Sequence, residues 1–427
     1  MKLFTLAFRN LTRNRRRTAI SLVALVVGVM VIVALRGYIT GQQRVTREGV
    51  VEGNLGAVVV HKKGYLANVQ SSPLTLDLAD SPELRQRLAS VEGVKALTAR
   101  IAFGAMLSMP DAAAQGTPED ENAAGKTTFL YMTAFDPALE AKVTPRRLDW
   151  LGQGAFLSSA DASELMLNAD MARSLNAQVV DAKAPPPEDQ WPALLASDRD
   201  GALNGEGVKL SGTQVSATPG DRRTGYLPLA TAQRLLRMEG RVTEYALALH
   251  DVEDAARVRD TLQSMLGAEY EVHTWFEVQP TVAELLKQED ALFGIITFIF
   301  LFVVLLGIVN VMLMNVLERV REIGTMLAVG MRRRTIVSLF LMEGAALGLL
   351  GGIAGALVGW GLTLWLHEKG IHLAAPGASV ESVIRPVVSI AFLFRAVAMA
   401  TLGAALAALW PAYRASRLRP IEALSTT

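Results

Sequence analysis

The residues that could carry out chemistry in this sequence are few, and their spacing does not match a catalytic pattern. Gly125, Lys126 and Thr127 resemble the end of a phosphate-binding loop, but Asp120 occupies the position where that motif needs another glycine. The histidines, at positions 61, 250, 273, 367 and 372, lack metal-ligand spacing, and the chain has no cysteine. We therefore predict that this chain is not an enzyme and holds no cofactor or metal of its own.

Four apolar runs are long enough to cross a membrane as helices, for which about 20 residues are needed. The runs are Thr18 to Leu35, Ala291 to Leu317, Thr335 to Leu366, and Val387 to Trp410. The second run would extend roughly 40 Å as a helix, which exceeds the ~30 Å thickness of the hydrocarbon core. We expect it to tilt or to project from the membrane, and we interpret the first run as an uncleaved anchor.

The charges beside these runs predict their orientation. Residues 1–17 carry six basic residues and residues 318–334 carry five arginines, whereas the loop 367–386 carries only Lys369 and Arg385. By the positive-inside rule, both termini and the 318–334 segment are expected in the cytoplasm. The segment 41–290 has 24 basic and 35 acidic residues and is predicted to lie outside the membrane.

The segment 41–290 mixes strand-like and helix-like patterns, which favours an α+β domain. Two stretches, 110–125 and 182–207, are predicted to be loops because they are rich in proline, glycine and small residues. We leave open whether these loops bind a partner or are solvated insertions. The predicted division is an anchor at 1–40, an outer α+β domain at 41–290, and three further membrane helices within 291–427.

Two features of the third and fourth runs concern helix packing. Glycines at 344, 348 and 352 and at 351, 355 and 359 recur every four residues, which provides small faces for close helix contact. These faces could serve packing within one subunit or a dimer interface. Glu343 and Arg395 are the charged residues within these runs, and their different depths predict snorkelling or separate partners rather than one ion pair.

The segment 318–331 combines an apolar helical face with a charged one. Val320, Ile323 and Leu327 fall on the same side of a helix, and Gly324 and Gly330 permit close approach or end the helix. Such a helix could lie among lipid headgroups or dock into a groove on a cytoplasmic partner.

This segment resembles the one that follows the second span in permeases of the MacB/FtsX class of ABC systems. The start, from Ala7 to Thr18, is similar to the lead-in helix of that class, and the end, from Pro411 to Leu424, is similar to its closing motif. The resemblance implies four transmembrane helices and a large MacB-like periplasmic α+β domain, in a multi-pass protein of the bacterial inner membrane.

The resemblance also implies partners and roles. It implies a cytoplasmic ABC ATPase that binds the ATP and Mg²⁺, a second permease in a homo- or heterodimer, and contact with membrane lipid but not nucleic acid. The segment 318–331 would be the coupling helix seated on the ATPase. The residues carried over by motif are Glu318, Arg319, Arg321, Glu322, Ile323, Gly324, Ala328 and Gly330.

Within the class, the outer domain is most similar to the lipoprotein-releasing LolC/LolE branch. The likeness rests on His61 to Tyr65, Phe135 to Pro137, Tyr226 to Leu236, and Thr274 with Trp275. The sequence departs from that branch at Val180 and Asp181, which puts any site for a periplasmic chaperone or adaptor there in doubt.

We therefore expect ATP-driven extraction or export of a lipoprotein or lipid-like substrate. The residues expected to meet it are apolar ones at the outer ends of the spans, namely Leu35, Tyr38, Ile39, Leu292 and Phe293. Three alternatives stay open. They are mechanical signalling to a cell-wall hydrolase, efflux of a macrolide or peptide, and an ATP-independent receptor.

Overall fold

A computed structural model describes residues 15–71, 74–110, 127–180, 187–215, 221–374 and 381–417. Several predicted features lie outside these residues. They are the lead-in segment 1–14, nearly all of the loop 110–125 with Gly125 and Lys126, the proline-rich stretch 181–186, and the last part of the closing motif, 418–424.

The helices belong to two classes by length. In chain order they are α1 (Arg15–Val50), α2 (Pro82–Ala89), α3 (Pro137–Val143), α4 (Arg146–Asp149), α5 (Ala169–Ser174), α6 (Leu229–Leu236), α7 (Ala255–Leu266), α8 (Trp275–Val278), α9 (Pro280–Glu318), α10 (Val320–Ala328), α11 (Arg333–Lys369) and α12 (Ile390–Ser416). Within the described residues, four helices are long and apolar enough to cross a membrane, and these are α1, α9, α11 and α12. The predicted fold class, a membrane protein with a large α+β domain, is confirmed.

The strands lie mainly between α1 and α9. They are β1 (Val58–Lys62), β2 (Leu78–Ala79), β3 (Val94–Ser108), β4 (Thr127–Phe135), β5 (Leu151–Gly154), β6 (Glu164–Asn168), β7 (Ala193–Ser197), β8 (Leu203–Gly207), β9 (Lys209–Gln214), β10 (Thr224–Pro228), β11 (Arg241–Val242), β12 (Glu244–Leu249), β13 (Tyr270–Thr274), β14 (Ile371–Ala374) and β15 (Glu381–Ile384).

The chain forms two compact units. The membrane unit comprises residues 1–44, 285–371 and 383–427, and the outer unit comprises residues 45–284 and 372–382. The outer unit is built on one sheet with the strand order β13-β1-β12-β3-β4-β10-β6-β9-β5. The pairs β4–β10 and β6–β9 are parallel, whereas β3 pairs with β4 and β12 in antiparallel fashion.

Local signals explain where the short helices of the outer unit begin. The Ser81 side chain accepts a hydrogen bond from the backbone N–H of Leu84, and Pro82 stands at the first helical position of α2. Asp136 and Pro137 repeat this arrangement at the start of α3. Cap and proline together explain why α2 and α3 begin at these positions.

The prediction of a loop over 182–207 is wrong for its second half, which forms the β7–β8 hairpin. β7 pairs with the end of β3, from Met106 to Ser108, and this pairing buries Leu194 and Ala196. The turn is closed by Asp198, whose carboxylate accepts the backbone N–H groups of Asp200 and Ala202 at 3.0 and 2.8 Å. Pairing with a distant strand thus outweighed the local abundance of glycine.

In the membrane unit, α11 packs against two other helices through its glycines. A side chain at Gly344, Gly348 or Gly352 would meet Ala408, Ala404 or Ala400 on α12. The second set of glycines lies against α1, and its contacts are with Leu25, Val29 and Val33. Both small faces therefore serve packing within this chain, which decides between the two uses that the spacing left open.

Candidate functional site

The coupling segment, residues 318–331, contains α10 and is anchored in the membrane unit by its apolar face. Ile323 is buried in a cluster that also contains Val316, Ile336, Phe340, Ala412 and Ala415. Gly324 is buried beside Ile323, and Leu327 packs on the edge of the cluster. The segment is thus seated against α9, α11 and α12 rather than extending freely.

Arg319 fixes the start of α10 through two carboxylates. Its Nε donates to Glu322 Oε2 at 2.9 Å, and its Nη1 lies 3.8 Å from Glu343 Oε2 on α11. The Glu343 side chain is only 3% exposed, so Arg319 provides a nearby positive charge for a carboxylate inside the unit. Arg395 instead lies over the Phe392 ring, 5.6 Å from its centroid. The prediction of separate partners for Glu343 and Arg395 is confirmed.

The other side of the coupling segment faces solvent. Glu318, Arg321, Ala328 and Gly330 are exposed, and Val329 is 89% exposed. Val329, at the end of α10, therefore presents an apolar side chain at the surface of the membrane unit.

Gly330 ends α10 by a defined hydrogen-bond pattern. Its φ is +94°, its N–H donates to Leu327 O at 3.0 Å, and the next N–H, of Met331, donates to Met326 O at 3.0 Å. This is a Schellman motif, which requires a left-handed residue at the position of Gly330. The chain can therefore turn sharply into α11 directly after the exposed Val329.

The five residues predicted to meet substrate occupy different environments in the membrane unit. Leu35, Tyr38 and Ile39 are partly buried on α1, and Leu292 is 58% exposed on α9. Phe293 is only 7% exposed, with its ring 6.0 Å from the Phe392 ring. Its role in binding substrate stays a prediction.

An ion pair joins α1 and α9 close to these residues. Arg36 Nη1 donates to Asp290 Oδ1 at 2.6 Å, and the Arg36 guanidinium lies 5.2 Å from the centroid of the Phe293 ring. Gln42 and Glu289 add a hydrogen bond of 3.2 Å between the same helices. Polar contacts therefore tie α1 to α9 at this level.

The outer unit contains a buried group of charges that the sequence reasoning missed. Arg100 donates to both oxygens of Glu140, at 3.0 and 2.7 Å, and these side chains are 2% and 0% exposed. Arg147 and Glu244 extend the group. The available signal was the position of Arg100 in the middle of β3, between the apolar residues Ala99 and Ile101.

Four of the residues that carried the likeness of the outer domain lie beside this group. His61 stacks on Tyr65 at 4.5 Å and lies 3.1 Å from Glu244. Phe135 and Tyr226 flank the Arg147 guanidinium. In the described part of the chain, no group of three or more histidine, aspartate or glutamate side chains could hold a metal ion.

Four apolar helices, a short amphipathic segment between the second and third, and an α+β unit define a multi-pass membrane protein with a large domain outside its helices. Residues 294–420 match the family model described as the FtsX-like permease C-terminal domain. The predicted resemblance to this class is confirmed.

Known proteins show similarity over different parts of the chain. The pyoverdine export ATP-binding/permease protein PvdT of Pseudomonas fluorescens is 25% identical, over 98% of this chain and 58% of its own length. The lipoprotein-releasing system transmembrane protein LolC of Xylella fastidiosa is 28% identical, over 48% of this chain and 51% of its own length. The chain thus spans little more than half the length of these relatives.

Among solved structures, the periplasmic region of MacB from Actinobacillus actinomycetemcomitans matches with a TM-score of 0.34 and 10% identity. The match covers 55% of this chain and 94% of that structure.

Proposed function

We propose that this chain is the membrane subunit of an ABC complex and transmits work from a cytoplasmic ATPase to its outer unit. The observation that supports this best is the coupling segment. One face of α10 is anchored by Ile323, and the opposite face exposes Arg321, Ala328 and Val329. An anchored helix with an exposed, partly apolar surface suits a groove on a partner better than a lipid surface, because an amphipathic helix at lipid would need its apolar face free.

The long helices provide the mechanical connection in this proposal. α9 has 39 residues, which corresponds to about 58 Å and exceeds the ~30 Å core of a bilayer. It begins at Pro280, within the last residues of the outer unit, and ends at Glu318, the first residue of the coupling segment. Movement of α10 by an ATPase would therefore be passed along α9 without an intervening loop.

The other partners follow from the same proposal. ATP and Mg²⁺ would be bound by the ATPase, and a second permease, identical or different, would complete the membrane part. The chain would lie in the bacterial inner membrane with both termini in the cytoplasm and the outer unit in the periplasm, where a chaperone or adaptor could receive the substrate.

For the substrate, we propose a lipoprotein or another lipid-like molecule taken from the outer leaflet. The exposed Leu292 on α9, with the partly buried Leu35, Tyr38 and Ile39 on α1, offers apolar contact at the level of the Arg36–Asp290 pair. An apolar surface beside a charged one suits an amphiphile, because both parts of such a molecule find a matching contact.

A second candidate is export of a small amphiphilic compound. One relative that matches nearly the whole chain is named for pyoverdine export, whereas the similarity to LolC covers about half of it. Mass spectrometry of molecules that co-purify with the complex separates the candidates. Bound acylated protein or lipid supports the first candidate, and a bound small amphiphile supports the second.

The substitution Val329→Asp tests the coupling role. Val329 is 89% exposed, so the substitution leaves the fold intact but places a charge in the proposed contact. We expect the ATPase that co-purifies with the chain to fall by about tenfold, which corresponds to about 1.4 kcal/mol of binding.

The matched control is Val69→Asp, which introduces the same charge at an exposed valine of the outer unit. ATPase recruitment should be unchanged in that variant. Equal recruitment by the Val329→Asp variant and the unmodified chain, or the absence of any ATPase from both, would contradict the proposal.

A further inference from the structure

The end of α1 is held inside the outer unit by two arginines. α1 ends at Val50 and continues as a π-helical turn from Val51 to Leu55. The last carbonyls of a helix lack partners within it. Here Gly53 O and Asn54 O accept hydrogen bonds from Arg147 at 3.2 and 3.1 Å, and Leu55 O accepts one from Arg100 at 3.2 Å.

Both arginines are fixed by one carboxylate. Glu140, on α3, accepts two hydrogen bonds from Arg100 and lies 3.5 Å from Arg147. The Thr144 hydroxyl donates to the same carboxylate at 2.7 Å. Cations at the negative end of a helix are favourable, and a fully buried bidentate pair is geometrically specific. We call Arg100, Glu140 and Arg147 the clamp.

Aromatic rings hold the clamp from the side. The Arg147 guanidinium lies 5.0 Å from the centroid of the Phe135 ring on β4 and 4.5 Å from that of Tyr226 on β10. The Trp150 ring lies so close to Gly53 that a Cβ at this position would overlap it. The helix end is therefore packed against the sheet as well as hydrogen-bonded to it.

Further ion pairs surround the helix end at the surface. Arg146 pairs with Glu48 and Glu52, and Arg47 pairs with Glu253. These side chains are partly exposed, and exposed pairs hold two segments together only weakly. The buried clamp is thus the strongest polar link between α1 and the sheet among these contacts.

The clamp also reaches the part of the chain that leads to α9. Arg100 Nη1 lies 3.4 Å from Glu244 Oε1, and Glu244 Oε2 lies 3.1 Å from His61 on β1. β1 pairs with β13, the strand that precedes α8 and α9. The buried network thus extends from the end of α1 to β1, and strand pairing joins β1 to β13, which precedes the segment that leaves the outer unit.

We propose that Arg100 and Arg147 are positioning residues that transfer force from α1 to the sheet of the outer unit through the clamp. This inference rests on the proposed function, because it concerns the work that an ATPase would deliver. Without the clamp, Gly53 O, Asn54 O and Leu55 O would lose their arginine donors, and a pull on α1 would unwind the π-helical turn before it moved the sheet.

The test measures movement of the outer unit in the whole complex. We introduce one cysteine in each unit, by Glu239→Cys in the outer unit and Glu368→Cys in the membrane unit. Because the chain has no other cysteine, the spin labels attach only at these two positions. The full chain is reconstituted in nanodiscs with its ATPase, and labelled chain is diluted with unlabelled chain. The distance between the labels is recorded without nucleotide and with ATP and vanadate.

In the unmodified chain we expect ATP and vanadate to shift the distance distribution. In the Arg147→Gln variant, we expect at least half of that shift to disappear while the rate of ATP hydrolysis stays within about twofold. Glu140→Gln is nearly isosteric and should act in the same direction. Arg147→Lys keeps the charge and should give an intermediate shift, so these two variants decide the outcome if Arg147→Gln does not fold.

The matched control is Arg85→Gln, on α2 of the same unit. It breaks the bidentate pair in which Arg85 donates two hydrogen bonds of 2.6 Å to Asp80. A purely structural role of the clamp predicts the same loss of shift in this variant, and that result would overturn the proposal. A full shift in the clamp variants would also overturn it. No shift in the unmodified chain would instead contradict the proposed function.

Discussion

At the scale of single residues, the buried pair of Arg100 and Glu140 shows how the outer unit tolerates charge. Burial alone would raise the pKa of Glu140, but the charges of Arg100 and Arg147 and the hydrogen bonds from Arg100 and Thr144 outweigh it and lower that pKa. Glu140 is therefore ionised at neutral pH. Its removal would leave two guanidinium groups buried without their shared partner.

The substitution Glu140→Gln tests this account. We expect it to lower the free energy of unfolding by about 3 to 5 kcal/mol, as is usual when one partner of a buried pair is removed. Unfolding by heat or urea can be followed in the full chain by tryptophan fluorescence. The control Glu253→Gln removes the same charge from a side chain that is 74% exposed, and should have little effect. Equal losses in both variants would show that burial of the pair does not matter.

At the scale of elements, α11 is the helix around which the membrane unit is arranged. Its two glycine faces, offset around the helix, meet α12 and α1 separately, so the backbones approach closely on both sides. Gly361 lies on the same helix with no other residue within 4 Å of an added Cβ. The same residue type on one helix therefore has different roles, depending on what it faces.

This difference predicts opposite effects of one substitution. At Gly348→Ala the new Cβ would lie 2.7 Å from Ala400 O and 2.8 Å from the Ala404 Cβ, so α12 must shift. We expect a loss of roughly 1 to 3 kcal/mol, typical of overpacking. Gly361→Ala should be neutral or slightly stabilising, because alanine favours helix over glycine. Thermal unfolding of the purified chain in detergent measures both, and a loss at Gly361→Ala would contradict the assignment of the packed faces.

At the scale of the whole molecule, the stability of the outer unit should change with pH because folding lowers the pKa of several of its groups. Burial lowers the pKa of His273 below its ordinary value of 6.5, although Glu271 opposes this shift. Burial would raise the pKa of Glu244, but His61 and Arg100 lower it below its ordinary value of 4.5. For each of these groups, and for Glu140, the unfolded chain takes up protons more readily than the folded one.

We therefore expect the free energy of unfolding to fall as the pH decreases. His273 contributes first, as the pH drops through 6.5, and Glu140 and Glu244 contribute as it drops through 4.5 and below. Urea unfolding of the full chain between about pH 7.5 and about pH 4 measures the slope. The variant His273→Gln should flatten the first part only. A stability that rose on acidification would contradict the assigned directions.

Much of the architecture could be predicted from the sequence because it depends on local quantities. The four spans are visible as long apolar runs, since a helix in a bilayer must present apolar side chains over its whole length. The helix in the coupling segment and its end at Gly330 follow from an apolar period of 3.6 and a glycine at the required position. The functional meaning of that segment came from a family resemblance, because an amphipathic helix alone does not distinguish lipid from a partner.

What the sequence determined by itself, then, was the number of spans, the α+β character of the outer unit and the position of the coupling segment. Three features required the folded chain: the helices that the glycine faces meet, the hairpin that residues 193–207 form on β3, and the meeting of Arg100 and Arg147 with Glu140 at the end of α1. Arg100 and Glu140 are 40 residues apart, and such a pair exists only when β3 and α3 are packed together. The physical reason is that periodicity reports the environment of each element, whereas the partner of a buried charge is set by contacts between distant segments.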